Sequence, residues 1–123
     1  MAAIAQSGIA AATLKLNASA SNTVNANDTS ALGASGYLPL GVNNSAVPTG
    51  GVVAQAVTLK PGTVVIYDPT SAAANARGFA DAPEIDPIAE TSNMLAAGKA
   101  FAFSVKVLKA ADDEEKTLLD MTS

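Results

Sequence analysis

Acidic side chains are the one chemistry-bearing group that gathers in this chain. Asp81, Glu84 and Asp86 fall within a six-residue stretch, and Asp112, Asp113, Glu114 and Glu115 run in succession further on. Paired carboxylates can serve as general acid and base or hold a hard cation. A calcium loop needs Asp or Asn at alternating positions, a Gly and a later Glu. The stretch DAPEID, residues 81–86, lacks that pattern and reads as a solvated acidic loop. Neither His nor Cys occurs. Their absence removes thiol chemistry, disulfides, the usual zinc and copper ligands and the commonest neutral-pH base. Ser and Thr are abundant, but nothing stands beside them to activate a hydroxyl, and no local pattern selects a Ser–Lys pair. Gly33-Ala34-Ser35-Gly36 has neither the spacing nor the following helix of a phosphate-binding loop. The expectation is a non-enzymatic protein with no catalytic residue, no cofactor and no metal.

The side-chain inventory points instead to contact. At 123 residues the chain is one domain by length. Nearly half of its 49% apolar content is alanine: 27 Ala against 28 Leu, Ile, Val and Phe together. Apolar burial is worth roughly 25 cal/mol per Å², so alanines contribute little and a lone monomer should be marginal. Oligomerisation, or docking on a larger body, would supply the missing burial. The net charge is −4, with seven Lys and Arg spread singly. That leaves no basic face to displace counterions, so no nucleic-acid partner is expected. The opening residues have neither a basic leader nor a long apolar run, which predicts no signal peptide and no membrane span. Glycosylation-type triplets at Asn17, Asn27 and Asn43 read as chance in an Asn- and Ser-rich chain.

These residues need elements to place them. Val52 to Asp68 holds two apolar runs joined by Lys60-Pro61-Gly62-Thr63. Pro then Gly suits a type II turn, with positive φ at Gly62, and such a turn splays its strands into different sheets. Val52–Lys60 is apolar on both faces and reads as a central strand, while Thr63–Tyr67 carries the strongest local β signal. Phe101, Phe103, Val105 and Val107 alternate, which predicts a strand over 99–108. Asp86-Pro87 opens a short helix that Gly98 ends, Ser71–Ala76 suits one helical turn stopped by Arg77-Gly78, and the acidic tail suits a closing helix. The fold class is mainly β: a small β-sandwich or β-barrel-like domain with an extended N-terminal arm and one or two short helices. Residues 1–16 form the arm and first strand. Residues 17–123 form the domain, divided into an uncharged loop-rich tract (17–51), core strands (52–109) and an acidic C-terminal helix (110–123). The arm and the tract supply the candidate contact residues: Ile4, Ile9, Leu14, Leu16, Tyr37, Leu38 and Leu40.

Low charge, abundant small and uncharged polar residues, Gly36-Tyr37-Leu38-Pro39-Leu40-Gly41 and the strand Thr63–Asp68 together resemble small virion proteins of tailed bacteriophages, above all capsid decoration (cement) proteins. The resemblance implies a β-rich homo-oligomer, a trimer by preference, on the outside of an assembled capsid. It would stabilise the shell by bridging copies of the major capsid protein, with no nucleic-acid or membrane partner. The implied location is the virion exterior. The alternatives are a tail, fibre-base or head-completion subunit, and a small coat protein enclosing RNA.

Overall fold

The computed structural model describes residues 1–34 and 36–123; Ser35, within the uncharged tract and the Gly33–Gly36 segment, lies outside them. Two long helices dominate: α1, Ala2–Val24, and α2, Pro87–Thr122. Between them lie two antiparallel hairpins. β1, Leu40–Ala46, pairs with β2, Val52–Thr58, and β3, Thr63–Tyr67, pairs with β4, Phe79–Pro83.

The helices form because they fit each other. Alanine favours helix, but a 23-residue helix interrupted by Gly8 is not strong alone. Gly8 faces α2: a Cβ there would meet Ser104 Oγ at 2.7 Å. On α2, Glu90, Ala97, Ser104 and Ala111 recur every seventh residue, with Met94, Phe101 and Leu108 between them. This is a heptad seam of the kind that lays helices nearly parallel or antiparallel. Gly8 against Ser104 and Asn22 against Glu90 make the pair antiparallel and set its register. Carried along, that register sets Met1 level with Ala111. Ala111 is buried, and every residue from Asp112 onward is exposed. The last turns of α2 therefore overhang α1. At 1.5 Å per residue, α2 runs about 54 Å and α1 about 35 Å.

The β1–β2 hairpin packs along α1. Its turn carries Gly50 and Gly51 at φ 92° and 94°, conformations that favour glycine. A Cβ on Gly50 would meet Ile4 Cδ1 at 2.8 Å, and Val52 N–H donates to Ser7 Oγ at 3.1 Å. The β3–β4 hairpin is held by the 25–39 segment instead. Ser30 and Asp81 exchange both backbone hydrogen bonds at 2.8 Å, adding a bridge to β4.

This architecture is not mainly β. The expected arm, residues 1–16, is helical because α2 offers its small residues a close partner. The strand expected over 99–108 and the stop expected at Gly98 both fall inside α2. Phe101, Phe103 and Val105 are all exposed there, so their alternation has no sheet face to fill. β2 is half of a two-stranded ladder, not a central strand. Residues 81–83, expected in a loop, belong to β4, and Ser71–Ala76 forms turns. Gly62 does not have positive φ, so the turn is not type II. The two runs nevertheless enter different sheets, as the Pro-Gly connection implied. Asp86 caps α2, accepting from Ile88 N–H at 3.0 Å with Pro87 in the first turn.

Candidate assembly interface

Burial in this chain is inverted with respect to size. Among the described residues the buried apolar side chains are small: Ala5, Ala11, Ala12, Ala18, Ala97 and Ala111 on the helices, Ala80 and Pro83 in β4, and Pro39. The large ones face outward: Phe103 is 69% exposed, Tyr67 68%, Ile88 78% and Leu119 67%. The accessible surface is 8097 Å² for a 12.2 kDa chain. A folded monomer of that mass has roughly 6,100 Å², so about 2,000 Å² is in excess. A standard interface covers about 800 Å² per partner. The surplus equals the area of about two such patches.

A polar clamp holds the part that does fold. Asn22, near the end of α1, is 1% exposed and uses its whole hydrogen-bonding capacity. Its Nδ2 donates to Leu40 O at 2.8 Å and to Glu90 Oε1 at 3.1 Å. Its Oδ1 accepts from Leu40 N–H and from Tyr37 Oη, both at 2.8 Å. Tyr37 Oη also lies 2.9 Å from Ser21 Oγ. With its one proton given to Asn22, Tyr37 takes that of Ser21. The amide thus pairs with both backbone groups of Leu40 as a strand neighbour would. It ties α1, the start of β1 and α2 at one point. Glu90 Oε2 is buried there without a partner. Neither Asn22 nor Glu90 stood out in the sequence. The seven-residue spacing from Glu90 to Ala111 marks Glu90; no such spacing marks Asn22.

The contact residues read from the sequence take two positions. Ile4, Ile9, Leu14 and Leu16 lie on α1. Ile4 is 44% exposed beside the Gly50 turn, while Leu14 lines a cleft of about 450 Å³ with Ala10, Val52 and Val53. Ile9 and Leu16 are half-buried. Tyr37 and Leu40 meet at the clamp, and Leu38, 43% exposed, covers Gly62.

The carboxylates do unrelated work. Asp81 is buried and accepts from Gly33 N–H at 2.8 Å, Asp86 caps α2, and Glu84 is exposed. Among the described residues no three acidic groups converge as a metal site, and no helix is long and apolar enough to cross a membrane.

Residues 76–121 match the family described as flagellar basal body rod FlgEFG protein, C-terminal. The chain is also 32% identical to the flagellar basal-body rod protein FlgC of Buchnera aphidicola over 118 residues, covering 88% of this chain and 85% of that protein. It is 31% identical over 111 residues to the FlgC proteins of Salmonella typhimurium and Escherichia coli O157:H7, covering 85% of this chain and 83% of each relative. These matches overturn the reading as a capsid decoration protein. The virion location, the major capsid protein as partner and the trimer implied with them fall too, and so do the tail and coat-protein alternatives. The resemblance rested on composition, and small uncharged residues suit any tightly packed assembly. The non-enzymatic reading stands, because the matched proteins are structural rod proteins.

Proposed function

This chain belongs to the flagellar basal-body rod proteins, and from that premise we propose that it is a structural subunit of the rod in the basal body of the bacterial flagellum. The observation that carries the proposal is the inverted burial: small apolar residues within, large apolar side chains without, and about 2,000 Å² of surplus surface. The α1–α2 pair gives the subunit an elongated body. Neighbours cover its apolar exterior, and each contact made only by the folded chain stabilises that fold by linkage. Ile4, Leu14 and Leu38 contribute to this exterior from α1 and the tract that follows it.

The test is deletion of the gene in its own bacterium, followed by complementation. Isolated basal bodies of the deletion strain should lack a complete rod, and the cells should not swim until the chain is restored. Complete, functional basal bodies in the deletion strain would overturn the proposal.

A further inference from the structure

The face of α2 turned away from α1 changes sign along its length. Its middle part presents Leu95, Lys99, Phe103 and Lys106, all exposed and spaced to share one side of the helix. From Leu95 to Ala110 there are three lysines and no acid. On the overhang, the continuation of that same side presents Asp113, Thr117 and Asp120, again exposed. Residues 112–122 hold five acids and one lysine. Two of the three lysines have an acidic counterpart fourteen residues further on: Lys99 with Asp113 and Lys106 with Asp120. Fourteen residues are two heptads, so a slide of that length keeps the face in phase.

We propose that the overhang of one copy docks on the Leu95–Lys106 face of a second copy. The two α2 helices point the same way, displaced by fourteen residues. Asp113 and Asp120 of one copy then face Lys99 and Lys106 of the other, and Thr117 meets Phe103. This inference rests on the rod reading, which calls for an assembly that continues. The contact is heterologous: each copy gives one patch and receives on another, so the arrangement does not close at two. An antiparallel pairing of the same faces would also match the charges but would close as a dimer, whereas the rod reading calls for a contact that repeats.

The chain has no cysteine, so introduced thiols report cleanly. Phe103→Cys and Thr117→Cys are expressed together on separate copies, and basal bodies are isolated after mild oxidation. The expected result is a mixed 103–117 cross-link, weakened when the cells are lysed into high salt before oxidation. Basal bodies that contain the chain without that cross-link would overturn the docking and leave the rod reading intact. Self-linking of Ala110→Cys would overturn it in favour of the antiparallel dimer. Absence of the parent chain from basal bodies would sink both readings. If the thiol variants do not assemble, charge reversal decides: Lys106→Glu should abolish swimming and Asp120→Lys in the same chain should restore it, with failure to restore counting against the proposal.

Discussion

Replacing Asn22 by Leu should loosen the joint between α1, β1 and α2. Leucine is close in size, so the change deletes hydrogen bonds with little change in volume. Four are lost: two to Leu40, one to Tyr37 and one to Glu90. A typical net bond is worth about 1 kcal/mol, and groups left buried without partners cost about 1–3 kcal/mol each. Leu40 N–H, Leu40 C=O and the Glu90 carboxylate are all stranded. The expected loss is roughly 3–6 kcal/mol, comparable with the whole stability of a small domain. Tyr37→Phe removes one of these bonds and should cost about 1 kcal/mol. Asn22→Asp is the discriminating variant. It keeps the acceptor for Leu40 N–H and Tyr37, but sets an oxygen against Leu40 O and Glu90 Oε1, where Asn22 Nδ2 now lies at 2.8 and 3.1 Å. It should be at least as damaging as Leu. The assay is urea unfolding followed by far-ultraviolet circular dichroism, with sulfate present so that a marginal parent has a folded baseline. Parent-like unfolding of both Asn22 variants would refute the clamp and the register it sets.

Other changes should separate local strain from assembly. Gly8→Ala should stay within about 1 kcal/mol of the parent, because Ser104 Oγ can rotate away and the helix gains alanine's propensity. Gly8→Leu should cost about 1–3 kcal/mol or more by wedging the seam, and a parent-like melt would count against the close approach. Gly78→Ala forces a side chain into φ 86° and brings a Cβ to 2.8 Å from Tyr67 Cε2. It should cost about 1–2 kcal/mol from the backbone alone and speed hydrogen exchange at Asp68 N–H, which now donates to Gly78 O. Removing residues 112–123, all exposed, should change unfolding of the remaining chain by no more than about 0.5 kcal/mol while abolishing swimming.

Parts of the fold were legible because their signals are local. Asp86 offers a side-chain cap and Pro87 a φ preset for the first helical turn, and a helix begins there. Thr63–Tyr67 is too β-branched to prefer anything but a strand, and it is β3. The segment 99–108 was misread because a short run fits two periods. Phe101, Phe103, Val105 and Val107 alternate, yet Phe101, Ser104, Leu108 and Ala111 also mark a helical stripe. Only a window reaching back to Glu90 separates them. Residues 1–16 were misread for a related reason: their helix depends on α2, whose closest residue in the chain lies far beyond any local window.

The alanine-rich inventory, read by itself, pointed to a chain that gains from neighbours and to a structural role, since both readings need only the residues present. Which residues face inward was decided by the pairing of α1 with α2. Small side chains carry almost no burial energy individually, so their placement follows the approach of two backbones and not their own preference. The same pairing leaves the larger side chains outside, as surface for neighbours to cover.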